Sequence, residues 1–175
     1  INKFFEAKIA TVIRDDDENF IPKKSGINKK NTNLFGSITN NFSEFIRIDY
    51  DFILDNDFNN FEYNSISTNL NYKNLETSFN FIEESGSIGG TNTLENKTKL
   101  KLNNDNYISF NTRRNRKINL TEYYDLVYEY KNDCLVAGIK YNKTYYEDRD
   151  LKPSENLFFT ITLSPLTSFE QKIDQ

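Results

Sequence analysis

The chain of 175 residues contains no histidine and a single cysteine, Cys134. Histidine-based catalysis is therefore excluded, and a zinc site built from Cys and His lacks its donors. No apolar run approaches the ~18 residues that a membrane helix requires. Hydrophobic residues make up only 37%, and mean hydropathy is −0.73. Positive charge is also in deficit: the net charge is −4 and the pI near 5.0, which gives nucleic acid no electrostatic basis as a partner. Neither a start Met nor a secretory apolar region precedes Ile1, so the chain reads as part of something longer or as a processed product. No paired carboxylates and no nucleophile with a placed base stand out, which points away from an enzyme and calls for no cofactor.

What the chain does have is aromatic residues, at 15%, and abundant Asn. Phe and Tyr carry much of the apolar content, in place of the Leu, Ile and Val of a usual core. They recur with period two. Tyr124, Leu126, Tyr128 and Tyr130 share a face opposite Asp125 and Glu129. Leu135, Ala137, Ile139 and Tyr141 oppose Lys140 and Asn142, and Leu157, Phe159, Ile161 and Leu163 oppose Thr160, Thr162 and Ser164. Such alternation marks strands with one apolar and one polar face.

Earlier in the chain, strands are expected over Phe5 to Arg14, around Leu34 to Ile38, and from Ser43 to Leu54, where Ile46, Ile48, Tyr50, Phe52 and Leu54 oppose Arg47, Asp49 and Asp51. A strand from Phe58 to Tyr72 holds Ile66, Thr68, Leu70 and Tyr72 in phase but Phe61 and Tyr63 out of it, which indicates a bulge or a later start. Leu75 to Phe81, Leu94 to Leu102 and a strand from Ile108 complete the set of about ten strands, with no amphipathic helix.

The connections alternate in length. Short turns fall at Asn40, Lys73, Asn103 and Lys131 to Asp133; longer loops fall at Lys23, Gly86, Asn115 and Glu147 to Asn156, and the brief Asp55 to Asp57 link departs mildly. Short periplasmic turns and long extracellular loops are the habit of outer-membrane barrels, whose alternate residues alone face lipid. The expected fold is all-β: an antiparallel up-and-down transmembrane β-barrel segment over residues 1–166, part of a larger barrel, with 167–175 as a short tail.

Several charged groups invite a sharper reading. The acidic run Asp15 to Glu18 lacks the ordered spacing and turn glycine of a calcium loop and reads as solvated. Arg113, Arg114, Arg116 and Lys117 could grip phosphate oxygens or simply form a charged loop tip. Glu95, Lys97, Lys99 and Lys101 project into a hydrated lumen on the barrel reading.

The end of the chain resembles the C-terminus of LptD, the lipopolysaccharide-assembly outer-membrane family also called organic solvent tolerance protein. The resemblance is carried by Tyr128-Glu129-Tyr130, Asp133-Cys134, Ala137-Gly138-Ile139, Tyr145-Tyr146, Asp148-Arg149-Asp150, Lys152-Pro153 and Phe158 to Leu163. A second block, Ser25-Gly26-Ile27-Asn28 to Leu34-Phe35-Gly36, is similar to the hairpin before the family's last strands. The resemblance implies transport without bond-making chemistry, in the outer membrane of a Gram-negative bacterium. Lipopolysaccharide would arrive over a periplasmic bridge reached through an N-terminal domain outside this sequence. Its sugars would pass the lumen and its acyl chains a lateral seam. Implied partners are a lipoprotein plug and the barrel-assembly machinery.

The family's seam would fall on the last strand, read as Leu157 to Leu166 with Leu157, Phe159, Ile161, Leu163 and Pro165, the proline loosening its ladder. Family cysteines at the turn matching Cys134 form disulfides with the N-terminal domain. Many members carry an adjacent pair, whereas Leu135 follows here, and both a disulfide and a free thiol stay open. A passive porin-like barrel and a soluble β-sandwich binding module are the alternatives.

Overall fold

A computed structural model describes residues 4–86, 88–145, 152–163 and 167–173. The chain is all-β. Eleven strands follow one another in a single antiparallel sheet whose spatial order equals their order in the chain. They are β1 (Phe4–Ala10), β2 (Leu34–Asn41), β3 (Ile46–Leu54), β4 (Phe61–Tyr72), β5 (Leu75–Glu84), β6 (Asn92–Lys101), β7 (Asn106–Asn115), β8 (Leu120–Lys131), β9 (Leu135–Thr144), β10 (Ser154–Leu163) and β11 (Thr167–Ile173). One short 3-10 turn, Lys23–Ser25, is the only helical piece among the described residues. Two compact units divide the chain, Ile1–Asn69 with Phe79–Leu94, and Leu70–Ser78 with Glu95–Gln175.

In the first unit, the register sets Ile9, Gly36 and Phe52 in one row and Ala7, Ile38 and Tyr50 in the next. The opposite face carries Lys8, Ser37 and Asp51, then Glu6, Thr39 and Asp49. β1 is shorter than its alternation suggests. After Ala10 the ladder is interrupted: the Thr32 hydroxyl accepts the Val12 N–H at 2.9 Å and lies 3.2 Å from the Thr11 hydroxyl, and pairing resumes, slipped by one residue, at an Ile13↔Asn31 bridge. Phe58 sits in a turn with φ 59°, so β4 starts at Phe61. Phe61 meets the Phe52 ring edge-on at 6.0 Å, while Asn64 accepts from the Tyr50 hydroxyl at 2.8 Å. Phe52 and Tyr50 share a face, and residues an odd number apart reach it only if β4 slips phase between them.

In the second unit, β7 to β10 bring the expected faces into line. Phe110, Leu126, Tyr141 and Leu157 form one row, and Ile108, Tyr128, Ile139 and Phe159 form the next. Cross-strand pairs of this kind contribute about 0.2–1 kcal/mol each, so the sheet is held together along its whole length with no single centre.

The abundant Asn and Asp close the hairpins. The Asn132 carboxamide oxygen accepts the Cys134 and Leu135 N–H groups at 3.0 and 2.8 Å. Asn103 does the same for Asp105 and Asn106, both at 3.0 Å, and Asp55 for Asn59 at 2.7 Å. These side chains mimic a backbone turn and fix the register of the strands they join.

Two expectations need correction. Thr167–Ile173, read as tail, forms β11 and pairs with β10 from Leu157↔Ile173 to Leu163↔Thr167. β10 therefore carries ladders on both sides and is not the last strand. Arg113 and Arg114 likewise belong to β7 rather than a loop, which shortens that connection to 116–119.

Candidate functional site

The candidate site is the pair of faces itself. In a soluble protein, apolar side chains are covered and polar ones exposed. Here no apolar side chain is buried among the described residues. Every buried side chain among the described residues is polar: Thr32, Asn33, Asn41 and Glu122. Leu126 is 47% exposed and Ile139 46%, as are Tyr128, Phe159, Leu163, Phe79 and Leu100 to similar extents. On β8 and β9, meanwhile, Asp125, Glu129 and Lys140 on the opposite face are half-buried.

The polar face is a connected network. In the second unit, the Tyr123 hydroxyl donates to Glu95 at 2.9 Å, and Lys97 pairs with the same carboxylate at 3.2 Å. Asp125 accepts from Asn142 and lies 3.6 Å from the Lys140 ammonium. A bulge adds to it. The register of β7 with β8 shifts between Arg113 and Arg114, leaving Glu122 without an opposite residue. Its carboxylate, 8% exposed at the residue level, accepts from the Arg113 guanidinium and, at 3.4 Å, from Asn115. Arg113 also lies over the Tyr123 ring at 5.6 Å. Bulges re-aim side chains in this way, and no residue type in Thr121-Glu122-Tyr123 announces one.

The Arg113 to Lys117 group is thus engaged within the protein. Arg113 is held by Glu122 and Arg114 donates to Asn119, and Arg116 and Lys117 sit at the hairpin end. Cys134 is exposed in the 132–134 turn. Leu157, Phe159, Ile161 and Leu163 lie on β10 in register with Tyr141, Ile139, Ala137 and Leu135. Pro165, Ser164, Leu166, Ser87, Tyr146 and Asp148 to Asp150 lie outside the described residues.

The connection 11–33 is tied down at several points. Asp17 accepts the Lys30 N–H at 2.7 Å and pairs with Lys29 at 3.2 Å. Those donors hold its carboxyl below the usual range, the Lys30 N–H first. Asn33 donates to Glu62 at 2.6 Å. Gly26 takes φ 66° beneath Asn33, where a Cβ would lie 2.6 Å from the Asn33 amide nitrogen. No three acidic or thiol side chains converge as a metal site among the described residues.

Connection lengths alternate along the strand order. The links 11–33, 55–60, 85–91 and 145–153 exceed 42–45, 73–74, 102–105 and 132–134. The 55–60 link joins the long set, and 116–119 is the one that does not stand out.

No protein-family model matches the chain, and no curated protein matches it.

Proposed function

We propose that this chain is the C-terminal part of an LptD-like outer-membrane barrel, which delivers lipopolysaccharide to the outer leaflet of a Gram-negative envelope. The observation that carries the membrane reading is that the apolar faces hold only exposed and half-exposed side chains, with none buried, while the few buried side chains are polar. A sheet of this kind needs hydrocarbon against one face and water against the other, as a transmembrane barrel provides. A β-sandwich would enclose its apolar side chains between two layers. The alternation of connection lengths supports an orientation with 42–45, 73–74, 102–105 and 132–134 toward the periplasm.

The transport role draws its support from the sequence resemblance at Tyr128 to Tyr130, Asp133-Cys134 and Phe158 to Leu163. On this reading the polar network from Glu95 to Asp125 meets the glycan, and a lipoprotein plug and the periplasmic bridge complete the route. β10 is paired on both sides, so the lateral seam of this reading lies beyond it. Leu157, Phe159, Ile161 and Leu163 then belong to the lipid-facing band.

Two measurements test the proposal. The natural protein should resist carbonate washing of membranes and require detergent for release; release by carbonate alone would end the membrane reading. Its depletion should lower surface-exposed lipopolysaccharide several-fold. Unchanged surface lipopolysaccharide in a detergent-requiring protein would favour a passive pore.

A further inference from the structure

The apolar face of β7 to β10 is bounded at both ends, and the bounds are close together. At one end Tyr124, Lys143 and Glu155 share a row across β8, β9 and β10. Lys143 pairs with Glu155 at 3.1 Å, and Tyr141 donates to the same carboxylate at 2.9 Å. The Lys143 ammonium lies 5.4 Å from the Tyr145 ring, which meets Tyr124 edge-on at 5.9 Å. Charges and phenols arranged like this belong at headgroup level, and a Lys–Glu pair at mid-membrane is strongly disfavoured. At the other end stand the turns. Tyr128 donates to Asn106, Asn132 donates to the Tyr130 hydroxyl at 3.2 Å, and Lys131 and Asp133 follow.

Between these limits the apolar stretch is Leu135 to Tyr141 on β9 and Leu157 to Leu163 on β10, and on β8 it is Leu126 to Tyr130, which is shorter still. The longer span runs about 23 Å along the strand at about 3.3 Å per residue. Tilted by about 45°, it stands about 16 Å tall, where membrane strands ordinarily supply nine to eleven residues. The usual apolar band is about 25 Å tall. A short span can be met by thinning the bilayer, by snorkelling or by oligomerisation. Snorkelling at the Lys143 end would cost that ammonium its pairing with Glu155. The ladders on both sides of β8, β9 and β10 keep any one strand from straightening alone.

We propose that β7 to β10 hold the adjacent bilayer locally thinner than its resting thickness, so that their lipid partner is a compressed leaflet pair. This rests on the membrane reading above, and the test separates the two.

These 175 residues include no tryptophan, so single reporters can be placed among them once any tryptophan elsewhere in the natural protein is replaced by Phe. Leu126→Trp, Tyr124→Trp and Tyr130→Trp are each introduced into the natural protein on that background and reconstituted in phosphatidylcholine vesicles of increasing acyl length, from twelve to eighteen carbons. Fluorescence quenching by aqueous iodide is measured. With local thinning, Tyr124→Trp and Tyr130→Trp stay iodide-accessible, changing less than about twofold across the series, while Leu126→Trp stays protected. Loss of iodide access at either end as the chains lengthen would overturn the inference while leaving the membrane reading intact. Iodide access at all three positions in every lipid would overturn both. As a second variant, Lys143→Leu with Glu155→Leu extends the apolar band by one row. It should move the lipid length of greatest resistance to guanidinium upward, and an unmoved optimum counts against thinning even if a reporter variant fails to insert.

Discussion

At the scale of single residues, Gly36 leaves the least room for a side chain among the described glycines. A Cβ there would lie 2.1 Å from the Phe52 ring, which could move aside only by giving up its stacking on Tyr50 at 5.5 Å. Gly36→Ala should therefore destabilise the sheet by about 1–3 kcal/mol, the usual cost of overpacking. The denaturation midpoint reads this directly, and Phe52→Leu in the same background should recover most of the loss. No recovery would mean that the ring is not the obstacle. Asp17 makes a different prediction. Its folded pKa is lowered by the Lys30 N–H and the Lys29 ammonium, so its hold on the loop is complete above the unfolded value of 3.8 and fades as pH falls through the depressed one. The Lys30 amide resonance should titrate with a midpoint below 3.8, and a midpoint above it would contradict the hydrogen bond.

At the scale of strands, the faces were legible because period two survives any local detail. Ile46 to Phe52 alternate strictly, and the register pairs them as the alternation requires. Ile139 and Lys140 follow from the same logic. Ile139→Arg places a charge among Tyr128 and Phe159 on the exposed apolar face, at about 2–4 kcal/mol if that face meets the membrane centre. Lys140→Gln gives up only a 3.6 Å pair with Asp125, part-exposed and worth about 0–1 kcal/mol. Yield of folded, membrane-inserted protein should fall sharply for the first and little for the second; equal losses would reject the face assignment. What the sequence concealed lies where a side chain replaces the ladder or alters its count. Beside Thr32 the pairing of β1 slips by one residue before it resumes at Ile13↔Asn31, and no period records that. The Glu122 bulge leaves no compositional mark. β11 was missed because Thr167 to Ile173 offers only Phe169 and Ile173 as strong apolar positions, too few to reveal a period.

At the scale of the whole molecule, orientation is the property most open to test. Cys134 is exposed in the short 132–134 turn. A membrane-impermeant maleimide applied to intact, reduced cells should leave it unmodified and label it after the outer membrane is permeabilised. Modification of intact cells would reverse the assignment of the two ends. The strand order has a further consequence, which concerns how the protein comes into being. Because β1 to β11 neighbour one another in the order of synthesis, each strand needs only the one just before it as a template. Loop-closure entropy is then met one hairpin at a time, with no distant segment to await. Assembly can proceed as a zipper, and an error in one hairpin halts growth at that point without letting later strands pair out of turn.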